Sequence, residues 1–179
     1  MKILIAEDEG VIAMQYKKAL EHRKHEVVLT LDAEQCIKAY RGALKERAVP
    51  ADNSSPFDVV VIDQRMPGKT GVELAKEIVA INPKQRIIFA TAYSKEIIAN
   101  TLKELNKVIE VLQKPFPLSA LVDQIEDKEI PAELEKLNMK LCASGKSDPS
   151  DKEFLILTDS LSKIQKHGIW YVVGNMVVG

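Results

Sequence analysis

Glu7-Asp8-Glu9, Asp63, Thr91 and Lys114-Pro115 each stand at the end of a short, mostly apolar run. Carboxylates brought together repel one another unless a cation joins them. A hard divalent ion such as Mg²⁺ suits oxygen ligands and keeps several waters. A lysine opposite supplies fixed positive charge to an incoming phosphoryl oxygen, and a threonine hydroxyl supplies a hydrogen bond to another. Such a set suits in-line transfer of a phosphoryl group to a carboxylate, where positioning and charge neutralisation do most of the work. Each residue also has a plainer role. The acids could complement a helix dipole. Asp63 could belong to the turn before Met66-Pro67, Thr91 could cap a helix, and Lys114 could be a solvated charge. Four plain roles would all have to fall by chance at the ends of apolar runs.

The elements that must position these residues are legible from periodicity. Lys2–Ala6, Glu26–Thr30, Asp58–Ile62, Arg86–Ala90 and Val108–Leu112 predict strands rich in β-branched residues. Val11–His22, Ala33–Arg47, Gly71–Ile81, Lys95–Leu105 and Leu118–Ile125 predict helices of 3.6-residue period. Asn82-Pro83 ends the third helix, and Pro117 precedes the fifth. Asp58–Ile62 is the most apolar strand and predicts a central position, covered on both faces. Five strands alternating with five helices specify an α/β fold: a five-stranded parallel sheet, doubly wound and flavodoxin-like. Ligands of such sheets sit beyond the carboxyl ends of the strands, where strand order reverses. Those ends carry the acids, the threonine and the lysine.

Composition bounds the alternatives. The 179 residues are 46% hydrophobic and 28% charged, a globular balance. Twenty-five basic and 26 acidic side chains leave a net charge of −1, so no global field draws the chain to nucleic acid or an anionic membrane. Val59–Ile62 is far too short to span a membrane, and the amino-terminal run turns acidic too soon for a signal peptide. Together these predict a cytoplasmic protein. Cys36 and Cys142 fit a reducing compartment and lack metal-ligand spacing, as do His22, His25 and His167.

Residues 1–127 resemble the receiver domain of two-component response regulators. The matching stretches are Ile3-Leu4-Ile5-Ala6-Glu7-Asp8-Glu9, Asp63-Gln64-Arg65-Met66-Pro67-Gly68-Lys69-Thr70-Gly71, Thr91-Ala92-Tyr93 and Lys114-Pro115-Phe116. The resemblance implies that Asp63 is the phosphoacceptor, charged by a sensor histidine kinase or phosphotransfer protein. It implies Mg²⁺ held by Glu7, Asp8, Asp63 and the backbone carbonyl of Arg65, with Thr91 and Lys114 contacting the phosphoryl oxygens. It further implies a cis Lys114–Pro115 peptide, a glycine at position 71 in the loop after the acceptor strand, and a responding surface on the fourth helix, fifth strand and fifth helix. Such a protein promotes its own phosphorylation and dephosphorylation and is no enzyme with an external product.

The match departs from the family at one position. Receivers commonly carry an aromatic on the fifth strand, three residues before the lysine; here Val111 stands there. Tyr93 is one substitute, or only a loop aromatic. Arg65 and Tyr93 occupy the two family positions that tune dephosphorylation, and both are bulky, which predicts a shielded, long-lived acyl phosphate.

Residues 128–179 match no familiar output domain. Ile130, Leu134, Leu137 and Leu141 form an apolar stripe, with Pro131 in the first helical position. Ala143–Asp151 predicts a linker. Ser150–Glu153 predicts a capping box, opening a helix faced by Phe154, Leu157, Leu161 and Ile164 and ended by His167-Gly168. Ile169–Val173 and Met176–Val178 predict a hairpin about Gly174-Asn175, which must pack on something. Residues 123–179 hold ten acids, seven lysines and no arginine, a net of −3. That balance disfavours DNA binding. The stripes cover either the chain's own core or a second copy or downstream protein partner, so a homodimer through the tail is one reading. Three functions compete: a phospho-switch, a true aspartyl-phosphate enzyme and a pseudo-receiver scaffold working through its tail. Dehalogenase-type enzymes need an acid where Arg65 stands, and no phosphate-binding glycine loop occurs. The phospho-switch fits best.

Overall fold

The computed structural model describes residues 1–46, 55–102, 105, 107–144, 151–164, 168–173 and 176–179. In chain order the elements are β1 (Lys2–Ala6), α1 (Gly10–His22), β2 (Glu26–Thr30), α2 (Ala33–Lys45), β3 (Val59–Asp63), α3 (Gly71–Ile81), β4 (Ile87–Thr91), α4 (Lys95–Leu102), β5 (Ile109–Gln113), α5 (Leu118–Glu126), α6 (Glu129–Ser144), α7 (Asp151–Ile164), β6 (Ile169–Val173) and β7 (Met176–Val178). The sheet runs β2-β1-β3-β4-β5-β6-β7. Its first five strands are parallel, as the alternating pattern requires. Strand order reverses between β1 and β3, which sets the place for a ligand. All five residues of β3 are buried.

Local signals account for the helix starts. The Asp32 carboxylate accepts from Gln35 N at 2.7 Å and caps α2. Thr70 and Glu73 form a reciprocal capping box at α3. Asp127 Oδ1 accepts from Glu129 N and Ile130 N at 2.8 and 3.1 Å, satisfying two orphan donors of α6. Pro131 is therefore the third helical residue rather than the first. The position still suits proline, whose missing N–H would have no partner in the first turn. Helix α4 is described over Lys95–Leu102, and residues 103–104 of the predicted Lys95–Leu105 helix lie outside the described residues.

The sheet extends beyond the five strands predicted. β6 pairs antiparallel with β5, and β7 with β6. The carboxy-terminal hairpin is thus part of the receiver sheet. A solitary hairpin is marginal, and β5 would otherwise present a row of unpaired backbone groups; each satisfies the other. Side chains alternate between two cores. Ile3, Ile5, Val61, Leu112 and Tyr171 face α1, α5, α6 and α7. Leu4, Ile62, Phe89, Val111 and Trp170 face α2, α3 and α4. Ile130, Leu134, Leu137, Leu157 and Leu161 are buried in the first core, so the stripes on α6 and α7 cover this chain's own sheet. The linker residues 145–150, His167 and the Gly174-Asn175 turn lie outside the described residues, as do the side chains of Leu141 and Phe154. Among the described residues no helix is long and apolar enough to cross a membrane.

Candidate phosphoacceptor site

Four strands deliver their chemistry to the sheet's carboxyl edge. β1 is followed at once by Glu7, whose N–H donates to Thr30 O at 3.1 Å. β3 ends in Asp63 and β4 in Thr91. Lys114 follows β5, and its N–H donates to Thr91 O at 2.8 Å. The Lys114–Pro115 peptide is cis. Phe116 then stacks on Tyr16, ring centres 5.7 Å apart, which ties the β5–α5 turn to α1.

The Lys114 ammonium donates to Glu7 Oε2 at 2.7 Å and to Asp63 Oδ1 at 2.8 Å. Asp63 Oδ2 accepts from the backbone N–H of Arg65 at 2.6 Å. Glu7 is 1% exposed, and its Oε1 has no hydrogen-bond partner among the described residues. Burial pushes its carboxyl above the usual carboxylate value, reinforced by Asp63 and opposed by Lys114. Burial works against the Lys114 ammonium, but its hydrogen bonds to Asp63 and Glu7 outweigh it and raise its pKa. One carboxylate oxygen from each of Glu7, Asp8 and Asp63 falls within 4.8 Å of the others. The donor set is all oxygen and carries three acids against one ammonium, which fits a hard divalent cation.

The cleft above Asp63 measures ≈ 390 Å³ and is walled by Asp8, Thr91, Lys114, Arg65 and Tyr93. The Arg65 guanidinium carbon lies 5.9 Å from the centre of the Tyr93 ring, so the two bulky side chains pair beside the acceptor. Tyr93 N donates to Thr91 Oγ1 at 3.1 Å. Every site residue singled out in the sequence except Val111 lines or borders this cleft.

Two residues gain a role from the fold that spacing along the chain does not carry. Gly71 opens α3, at the start of the helix predicted over Gly71–Ile81. A Cβ on it would stand 2.2 Å from Asp63 O and 2.9 Å from Ile62 Cγ2. Only glycine lets α3 dock this close to the acceptor strand. Val111 is fully buried away from the cleft and faces Trp170 across the β5–β6 ladder. The aromatic absent from β5 therefore stands one strand over. The tail's run of aromatic and β-branched residues signalled a strand, but not its pairing partner.

A larger cleft of ≈ 670 Å³ opens at the opposite edge, beside α6. Its Arg86 and Glu110 pair with each other at 2.8 Å, and Lys107 donates to the carbonyls of Pro83 and Gln85. Their charges are already engaged, so the reactive constellation is the smaller cleft.

The profile described as "Response regulator receiver domain" matches residues 3–126. The response regulator receiver protein CpdR of Brucella abortus is 30% identical over 131 residues, spanning 73% of this chain and 98% of that protein. Sporulation initiation phosphotransferase F of Bacillus subtilis is 26% identical over 125 residues, 70% of this chain and 90% of that one. The transcriptional regulatory protein PdtaR of Mycobacterium tuberculosis is 30% identical, but the match spans only 55% of its length. Among solved structures, a receiver domain protein from Clostridium thermocellum superposes with a TM-score of 0.59 at 26% identity, covering 76% of this chain and 97% of that one. The HemR receiver domain of Leptospira biflexa gives 0.57 at 27% identity, covering 70% and 90%.

Proposed function

Because this chain belongs to the response regulator receiver family, we propose that it is a phospho-switch: Asp63 accepts a phosphoryl group from a sensor histidine kinase or phosphotransfer protein, and a protein-interaction surface responds. One observation carries the reading. Lys114 bridges Glu7 and Asp63 within a cluster of three carboxylates at the sheet edge. The similarity to a protein named a phosphotransferase supports phosphoryl handling.

Glu7, Asp8, Asp63 and the Arg65 carbonyl are the groups that would hold Mg²⁺, and the partnerless Glu7 Oε1 is a spare acceptor for it or its waters. When bound, the ion supplies neutralisation of the negative charge gathered around the transferring group. The chain's own residues do the rest. A carboxylate oxygen of Asp63 forms a bond to phosphorus as the donor's bond breaks. The leaving group is imidazole nitrogen from phosphohistidine, or acetate from acetyl phosphate. The Arg65 N–H orients the Asp63 carboxylate, and the Lys114 ammonium is placed to meet a phosphoryl oxygen as formation of the acyl phosphate relieves its hold on Asp63. The Thr91 hydroxyl is free to donate to another, since in its bond with Tyr93 it only accepts. The phosphoryl group stays on the chain's own Asp63, so the chain works as a signalling module.

Intact mass after incubation with acetyl phosphate tests this. The expected result is one added phosphoryl group that requires Mg²⁺ and is absent in Asp63→Asn. No added group in the wild-type chain under any condition would overturn the reading. It would favour the pseudo-receiver scaffold, which Val111 in the place of the family aromatic keeps in contention.

A further inference from the structure

Two physical routes join the candidate site to the carboxy-terminal hairpin. The first crosses the sheet. Ile62, the residue before Asp63, is level with Phe89 on β4; Phe89 is level with Val111 on β5; Val111 is level with Trp170 on β6. All four are buried on the face that packs under α3 and α4. The second follows the chain. Thr91 in the cleft and Lys95 at the start of α4 are four residues apart. The Lys95 ammonium lies 5.8 Å from the centre of the Trp170 ring and donates to Gly179 O at 2.6 Å. Gly179 passes so close that a Cβ there would stand 2.7 Å from Trp170 Cβ. One short segment thus has a cleft-lining hydroxyl at one end and the clamp on the hairpin at the other.

The contact at Trp170 is also incompletely satisfied. Its indole Nε1 is buried and has no acceptor among the described residues, and the residue as a whole is 2% exposed. A buried donor without a partner carries a cost that another packing, able to pair it, would remove. An interface with such a deficit is open to a second arrangement, and packed interfaces switch between discrete arrangements rather than deforming smoothly.

We propose that the β6–β7 hairpin is the element that reports the state of Asp63, with Trp170 as its positioning residue and the Thr91–Lys95 segment as the link. A phosphoryl group on Asp63 brings charge and acceptor oxygens beside Thr91. Drawing the Thr91 hydroxyl toward it pulls the segment that ends in Lys95 and loosens the clamp on Trp170 and Gly179. The changed surface is then the hairpin and the face of α4 beneath it. This inference rests on the reading of Asp63 as the phosphoacceptor.

Trp170 is the single tryptophan of the chain, so its own fluorescence is the probe. The experiment follows the emission maximum and acrylamide quenching of the full chain with Mg²⁺ and acetyl phosphate, with intact mass on the same samples. Hydrogen exchange of residues 169–178 is compared with that of β2 on the far edge. The expected result is a shifted emission, altered quenching and altered exchange in the hairpin but not in β2, all absent in Asp63→Asn. Lys95→Ala is expected to take up the phosphoryl group to the same extent with a smaller emission change. A phosphorylated chain with unchanged emission, quenching and hairpin exchange would overturn the inference while leaving the phosphoacceptor reading intact. A full response in Lys95→Ala would overturn the link through α4. Absence of any mass change would remove the phosphoacceptor reading, and this inference with it.

Discussion

Arg65 and Tyr93 decide how exposed an acyl phosphate on Asp63 would be to water. Both wall the cleft, and their pairing at 5.9 Å holds them as a unit. Hydrolysis needs a water aligned opposite the carboxylate oxygen, and two bulky groups at the mouth narrow its approach. The expected outcome is that Arg65→Ala or Tyr93→Ala shortens the lifetime of the phosphorylated chain. Decay of the added mass after removal of acetyl phosphate measures it; lifetimes equal to wild type in both variants would refute the shielding. The types of these residues were plain in the sequence, and so were Glu7, Asp8, Asp63, Thr91 and Lys114. Their distances were not. That Lys114 touches both Glu7 and Asp63 depends on where the β5–α5 turn lies, and no spacing along the chain encodes it.

At the scale of elements, β4, β5 and α5 are locked by a buried polar network. Arg86 Nε and Nη2 donate to Glu110 at 2.8 Å each, and the guanidinium also donates to the carbonyls of Gln124 and Ile125 at the end of α5. Gln124 Nε2 donates to Glu110 as well, at 2.7 Å. Breaking a buried pair strands the remaining charge, which costs about 3–5 kcal/mol, whereas replacing both partners with apolar groups is often close to neutral. Arg86→Met is therefore expected to lower stability by about that amount, and Arg86→Met/Glu110→Leu by clearly less, in urea unfolding. Equal losses in single and double variants would show that packing rather than charge dominates. Strand and helix types were legible from periodicity, down to the bounds of Gly71–Ile81. The capping box was also written in Thr70 and Glu73, a signal of residue type that periodicity does not register. A polar residue inside an apolar strand such as Glu110 gave no sign of its partner, because Arg86 stands 24 residues away, just before a different strand.

Across the whole molecule, the turn between α1 and β2 is held to α5 by Glu126, which accepts from Arg23 Nη2 at 2.6 Å and is 3.0 Å from His25 Nε2. The hydrogen bond from Arg23 holds the Glu126 carboxyl below its ordinary value of 4.5, with His25 contributing in the same direction. A carboxyl whose folded pKa is depressed stabilises the fold at pH above its unfolded value. That contribution is lost as pH falls through the folded value. The wild-type chain is thus expected to melt higher than Glu126→Gln at neutral pH, with the gap closing below the ordinary carboxylate range; the group is at the surface, so the gap is small. Melting curves from neutral to acid pH check it, and a gap that widens on acidification would contradict it.

The alternation of strands and helices, the chemistry at the strand ends and the family are all legible from residue order. Those properties are local: period, caps, turn residues and motif order are all written in neighbouring positions. The tertiary structure alone decided that the tail continues the receiver sheet instead of forming a lobe of its own. It alone decided that Trp170 stands beside Val111. Strand pairing is a long-range choice between backbone edges that look alike in sequence. The β5 edge is taken by β6 because antiparallel pairing there satisfies both backbones while the stripes on α6 and α7 close over the same core.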